Sequence, residues 1–425
     1  MNSELVDSLV SPYGVVTAVR DARPTRISAR LLSATARTGA PASRARRRGT
    51  TLLGGGGRSW DDAARARFIA VAEAAESYAM ALDPPEREVV HASANELAGR
   101  CLEPDRYPRC SARELAAPEC PVVPFDPDAT IRWVQGLDLV TADPVWVPAV
   151  MACRDLAPLD DGERFLHRLS TGHAVHTDPV EAVVRATFEV VERDAVAVLW
   201  LQRLSLPTVP YGRLTPLTRH LIADCRQHHL DVRILDATTD IGIPTAYCVL
   251  TAERHPRMRH WVAAGTERSL GEAAAKALEE AVGLAGLLLD GAEAPPDPAQ
   301  FSAVADGARY MGRPEHAAAF DFLFGYAGVG PSRAALPDAP DPALAALTRC
   351  LAEAGARPVV IDRTPRELLD VGLTAVHVVI PDLQPLSLHP FAQFTAHPRL
   401  YEAPARMGLR VLPEEELNPW PQPFA

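Results

Sequence analysis

Residues 170–194, STGHAVHTDPVEAVVRATFEVVERD, concentrate chemistry that a purely structural helix does not need. Asp178, Pro179 and Glu181 stand as N-cap, first and third helical residues, a capping box with proline where its missing N–H does no harm. Glu189 and Glu192 lie three apart, so both carboxylates leave one face of that helix, while Val183, Val184, Phe188, Val190 and Val191 supply apolar contact. Like charges side by side destabilise a helix unless a cation or a proton sits between them. Arg185 and Arg193 are candidates for that cation, and so is a metal ion. Two further stretches begin the same way, at Ser59 and at Ser269. Counted from Ser59, Asp178 and Ser269 as caps, the eleventh position is Ala70, Glu189 or Glu280 and the fourteenth is Glu73, Glu192 or Gly283. Glu76 follows Glu73 by three. Glycines at 54–57, 172 and 265 precede the helices, where backbone can approach a ligand closely and helix N-termini favour anions. Three carboxylate-bearing helices behind glycine turns suit a phosphate ligand held with Mg2+, which takes oxygen ligands and keeps some water. Amphipathic helices with solvated acids fit the same spacing.

Other elements must bring these positions together. Residues 131–140 and the run VWVPAVMA, either side of a turn at Ala142, Asp143 and Pro144, read as a strand pair, with 145–150 apolar enough for a buried strand. The second acidic helix continues as AVAVLWLQRL, core in character, with Trp200 as packing. Residues 230–235, the run IPTAYCVL, 359–362 and 376–380 are β-branched or apolar runs that read as strands. Strands alternating with helices predict a mixed α/β (α+β) architecture with mixed sheets and three acidic helices.

The 425 residues show no long linker between two compositional regimes, which favours one large domain with decorations. Apolar residues at 47% and charged residues at 23% suit a globular core. A net charge of −11 argues against general nucleic-acid binding, and no run is apolar enough for a membrane span. With no signal peptide in the first ten residues, and seven widely spaced cysteines without a CxxC pair, a reducing, cytoplasmic setting is expected. Nine arginines between Arg20 and Arg48, with no acid after Asp21, form a basic N-terminal arm of strands and loops.

The block STGHAVHTDPVEAVVRATFEVVERDA resembles the signature of the YcaO family, in which serine, glycine and alanine lead into a helix ending E-x-x-E-R-D-A. Further landmarks follow in order along nearly the whole chain: GGGGRSWDDAARARFIAVAEAAES, IRWVQGLDLVTADPVWVPAV, LDATTDIGIPTAY, AAAKALEEA, VVIDRTPRELLDVGLTAVHVVIPDLQPL and HPRLYEAP. The ending Pro419-Trp420-Pro421-Gln422-Pro423 is similar to the PxPxP tail of members that make azolines in ribosomally synthesised peptides. The resemblance implies a YcaO-type fold with a nucleotide site among the acidic helices, ATP and Mg2+ as cofactors, and divisions at 1–50 (basic arm), 51–412 (catalytic domain) and 413–425 (proline-rich tail). It assigns Mg2+ to Glu73, Glu76, Glu189, Glu192 and Glu280, and phosphate to Arg193 and Lys276. Ser170, the Gly172 backbone and Arg399 border the nucleotide, while Glu189, Glu192 and Arg193 serve catalysis with Pro423 and Ala425, whose terminal carboxylate reaches in as a proton acceptor. Ile69, Ser77, Lys276 and Gly283 depart from the family's serine, arginine, arginine and glutamine.

The chemistry implied is ATP-dependent activation of a backbone amide. A Cys, Ser or Thr side chain of a precursor peptide attacks the preceding carbonyl, the oxyanion takes the γ-phosphoryl group, and loss of phosphate leaves an azoline. Positioning and charge neutralisation supply most of such a barrier reduction. A separate leader-peptide-binding partner is expected, and a homodimer is compatible with the sequence. A thioamide- or amidine-forming relative and a catalytically degraded scaffold subunit are the alternatives.

Overall fold

A computed structural model describes residues 7–40, 54–154, 156–167, 169–289, 291–326, 328–336 and 343–424. Counting α-helices of eight residues or more, the chain runs β1 (Val16–Pro24), β2 (Leu31–Thr38), β3 (Gly55–Trp60), α1 (Ala63–Met80), β4 (Val89–Ala92), β5 (Ile131–Asp138), β6 (Pro144–Pro148), β7 (His173–His176) and α2 (Pro179–Leu201). It continues through α3 (Pro216–Gln227), β8 (Asp231–Asp236), β9 (Thr245–Thr251), β10 (His260–Thr266), α4 (Leu270–Leu288), α5 (Ala343–Glu353), β11 (Val359–Asp362), β12 (Thr374–Val379) and α6 (Arg399–Arg406). Three sheets result: β1-β2-β3, β10-β9-β8, and β4-β5-β11-β12-β7 with β6 paired to β5. Each carries one of the acidic helices: α1 covers the first sheet, α4 the second, and α2 packs on β12 and β7 of the third. Apolar residues fill each seam, among them Ala70 and Ala74 under α1, Ala273 and Ala277 under α4, and Val184 and Phe188 under α2.

Every described ladder is antiparallel, which corrects the expectation of mixed sheets. Short connections such as those between β8, β9 and β10 return the chain directly, whereas parallel neighbours need long crossovers. The strand pair at 131–148 forms as expected, with Trp133 opposite Pro148 and Leu137 opposite Pro144. Its second strand stops at Pro148, and Ala149–Ala152 becomes a helical turn instead of more strand. Strand β2 pairs with β1 on one side and with β3 on the other, so the first sheet runs across the division drawn at residue 50.

Two further expectations change. Ser59 is not a cap, because it lies in β3 opposite Leu32; Asp61 turns the chain at φ 50°, and Asp62 caps α1, accepting from the Arg65 N–H at 2.8 Å. The glycines at 54–57 and 265 are not ligand turns. A Cβ at Gly55 would lie 2.1 Å from the Ala70 carbonyl and one at Gly57 2.0 Å from that of Ala66, so α1 rests on β3 at a distance only glycine allows. Gly265 does the same for α4 on β10, where a Cβ would meet the Ala273 carbonyl at 2.4 Å. Gly172, at φ 91° and against the Val378 carbonyl, does need glycine's freedom.

Candidate functional site

Asp62, Asp178 and Ser269 are the observed caps of α1, α2 and α4. From them, the eleventh position is Glu73, Glu189 or Glu280, and the fourteenth is Glu76, Glu192 or Gly283. One corrected cap turns an incomplete stripe into a shared register with acids in five of six places. The backbone repeats it: Gly56, six residues before its cap, donates to Glu73 Oε2 at 2.8 Å, and Gly172, six before its own, donates to Glu189 Oε2 at 2.9 Å. These N–H groups hold carboxylates rather than a ligand. The acids also sit roughly 16–21 Å along their helices from the N-termini, so the charges do not meet at the helix ends where an anion site was expected.

The carboxylates influence one another in a closed circuit. Burial raises the Glu76 carboxyl well above its ordinary range, with Glu189 and then Glu73 adding to the effect. Burial likewise raises Glu280, helped by Glu192 and opposed by Arg58, Lys276 and Arg193. Glu73 is pushed up to about 6 by burial, against the Gly56 N–H and Arg58, with Glu280 raising it further. Glu189 also rises through burial, although Arg193 and Gly172 pull it down. Acids from three separate helices therefore face one space.

Cations line the same space. Lys276 Nζ donates to Glu192 Oε2 at 2.9 Å, and that oxygen also accepts from the Thr266 N–H at 2.9 Å. Burial lowers the Lys276 ammonium, but Glu192, Glu280 and Glu267 outweigh it and leave it raised. An Arg193 Nη lies 3.5 Å from Glu189, its Cζ sits 4.7 Å from the centre of the Phe424 ring, and its Nε is buried with no partner. Arg185 points elsewhere, pairing with Glu181 and Glu267. Glu192 is only 4% exposed while Lys276 is 39% exposed and Glu73 is open to water, although protein surrounds all three. Solvent therefore reaches Glu73 and Lys276, while Glu192 is covered. A cavity of about 1010 Å3 bordered by Gln202, Phe391, Arg410 and Trp420 touches none of the five glutamates, so volume alone does not mark the chemistry.

The remaining expected residues divide. Ser170 is half-buried beside Thr171, whose carbonyl lies 3.0 Å from His377 Nε2. Pro423 is buried next to Phe424, which puts the tail against Arg193; Ala425 lies outside the described residues. Arg399 is not brought to the carboxylates as a free cation. Only 5% exposed, it spends its guanidinium on Asp194 at 2.8 Å, on Asp240 at 2.7 Å and on Thr239. Sequence reasoning missed this buried network and also missed Arg58, whose position two residues after Gly56 on an alternating strand was the available signal.

Among the described residues no three His, Cys, Asp or Glu side chains meet closely enough to hold one metal ion by themselves. Mg2+ does not require that, since it is commonly bound by one or two carboxylates with phosphate oxygens and water completing the shell. An all-oxygen acid set beside unspent guanidinium donors fits a magnesium-bound polyphosphate.

A family model described as "YcaO cyclodehydratase, ATP-ad Mg2+-binding" matches residues 56–384. The chain belongs to the YcaO family. ATP and Mg2+ are that family's cofactors. This YcaO chain has the fold of a solved "Heterocyclase in complex with substrate and Cofactor", at TM-score 0.81 and 24% identity over 99% of the chain and 57% of the other. It is similar to YcaO from Methanopyrus kandleri bound with AMPPCP and Mg2+, at TM-score 0.62 and 19% identity over 93% and 90%. It is also similar to a chain of the E. coli Microcin synthetase McbBCD complex with pro-MccB17 bound, at TM-score 0.62 and 13% identity over 95% and 96%. An uncharacterized protein in the tfuA 3' region of Rhizobium leguminosarum bv. trifolii is 28% identical over 155 residues, 35% of the YcaO chain and 33% of the other. The chain thus spans a third of that relative's length and 57% of the heterocyclase's.

Proposed function

We propose that this YcaO chain uses ATP to activate backbone amides of a precursor peptide, cyclising Cys, Ser or Thr residues to azolines. The observation that carries the reading is the shared register of Glu73, Glu189 and Glu280, with Glu76 and Glu192, around one cleft. When bound, ATP would supply the phosphoryl group that converts the amide oxygen into a leaving group, and Mg2+ would neutralise its charge. The glutamates hold the magnesium in ones and twos, Lys276 and Arg193 face phosphate oxygens, and the Ser170–Gly172 turn borders the nucleotide. Lys276, whose Nζ lies 2.9 Å from Glu192 Oε2, would face phosphate oxygens of the bound nucleotide beside that carboxylate. The segment carrying Pro423 and Phe424 orders Arg193 from the opposite side. In this reading residues 51–412 form the catalytic domain, with 1–50 and 413–425 as its arm and tail. A separate leader-binding partner completes the assembly; the likeness to a chain of a synthetase complex with its pro-peptide bound supports that choice.

Mass spectrometry of a cognate peptide from a neighbouring gene provides the test. Wild-type protein with its partner should remove one water per ring in an ATP-dependent way, and Glu192→Ala should abolish the loss. Unchanged turnover in Glu192→Ala would take Glu192 out of the site.

A further inference from the structure

Position fourteen of α4 is the one place in the shared register without an acid, and it is occupied by Gly283. The space a side chain would take there is already filled. A Cβ built on Gly283 would lie 2.0 Å from Arg58 Nε, 2.5 Å from its Cζ and 2.8 Å from one of its terminal nitrogens. Arg58 comes from β3, whose alternation decides its direction. Gly55 and Gly57 turn toward the α1 backbone, so Arg58 and Trp60 project from the opposite face toward α4, where Trp60 Nε1 donates to Glu279 Oε1 at 2.6 Å. Arg58 opposes the raised carboxyls of Glu73 and Glu280, which places its charge among the acids of two helices. Among the described residues it donates no hydrogen bond and forms no ion pair. A half-buried guanidinium with its donor fork unspent, at the rim of an acid-lined cleft, is matched to an oxyanion that can accept two parallel bonds.

We infer that Arg58 is a phosphate-binding residue of the nucleotide site, and that Gly283 is small because Arg58 occupies the space above it. This rests on the nucleotide reading given under Proposed function. The two residues form one device: the arginine reaches across from β3 only while α4 presents no side chain at that turn. The departure from glutamine at 283 is thereby an exchange of one polar contact for another, and the degraded-scaffold alternative loses one of its supports.

Calorimetry of Mg-ATP binding to the full chain provides the first measurement, with KM for ATP and kcat on the cognate peptide as the second. Arg58→Ala should weaken Mg-ATP by about tenfold to a hundredfold, the range of a lost charge-assisted hydrogen bond, and raise KM for ATP more than it lowers kcat. Arg58→Lys should recover part of the affinity. Gly283→Ala is the decisive variant. Alanine is the better helix former, and the atoms it strikes are the far end of a flexible side chain, so the fold and melting temperature should hold or improve while Mg-ATP affinity falls as in Arg58→Ala. Adding Gly283→Ala to Arg58→Ala should cost nothing further. AMP binding should change much less than ATP binding in every variant. If Arg58→Ala and Gly283→Ala bind Mg-ATP as tightly as wild type, or lose AMP and ATP affinity equally, the assignment of Arg58 falls while the nucleotide site stands. A wild-type protein that binds no Mg-ATP overturns both.

Discussion

At the scale of single residues, four of the five glutamates are harder to ionise than an ordinary carboxyl because each is crowded by protein and by its neighbours. For Glu73 the rise is from 4.5 to about 6. The sign follows directly. A carboxyl whose folded pKa is raised binds protons more firmly in the folded chain, so its contribution to stability is present below the unfolded value and is lost as pH climbs through about 6. Mg2+ binds the ionised form, so ligand and proton compete. Mg-ATP affinity should therefore weaken on acidification through about pH 6, and binding should release protons. Calorimetry in buffers of different ionisation enthalpy measures both; a flat affinity between pH 5 and 8 would separate Glu73 from the ligand. Lys276 does not blur this window, since its ammonium is raised and stays charged throughout.

At the scale of elements, the site depends on three helices keeping one register, and different devices hold it. Glycines in β3 and β10 let α1 and α4 sit on their strands with backbone nearly in contact. The second helix is anchored differently, through Asp194, which is fully buried and receives Arg399 from α6 and the Gln384 N–H at 2.9 Å. Asp194 follows Arg193 directly, so the ion pair that fixes α2 lies next to the arginine proposed to face phosphate. Arg399→Ala leaves Asp194 as a buried charge without a cation and Asp240 with only Arg406, 3.5 Å away, and a loss of about 3–5 kcal/mol of stability is expected. Denaturant unfolding measures it. Because Arg399 makes no contact with the cleft carboxylates, any variant population that remains folded should still bind Mg-ATP; a selective loss of binding with unchanged stability would return Arg399 to the nucleotide site.

On the scale of the whole molecule, each of three sheet-and-helix layers carries one acidic helix toward the proposed nucleotide site, and the C-terminal segment packs Phe424 against Arg193. Trp200 Nε1 donates to the Trp420 carbonyl at 3.0 Å, and Phe424 is 1% exposed, so the tail is part of the packed core rather than a free extension. Without ligand the cleft gathers like charges from all three layers. A ligand that neutralises them should stabilise the layers together. Mg-ATP at a hundredfold excess over its dissociation constant should add about 2.7 kcal/mol, visible as a higher melting temperature. ATP with EDTA should give a much smaller shift, because polyanion and carboxylates then repel. Equal shifts with and without the metal would remove magnesium from the role assigned to it. No helix among the described residues is long and apolar enough to cross a membrane.

The sequence by itself determined what depends on neighbours along the chain. The cap at Asp178, the spacing of Glu189 and Glu192, the β5–β6 hairpin and the apolar end of α2 are set by local backbone preference and periodicity, and the ordered motifs disclosed the family. It could not decide where α1 begins, because a serine in a strand and an aspartate two residues past that strand's end are equally good caps until the partner strand takes one of them. Nor could it show that glycines spaced for a ligand turn were spaced for a helix, that Arg399 was already committed to Asp194, or that Arg58 lies over Gly283. Each of those is a contact between residues far apart in the chain, and only the close packing of the three layers chooses which distant groups meet.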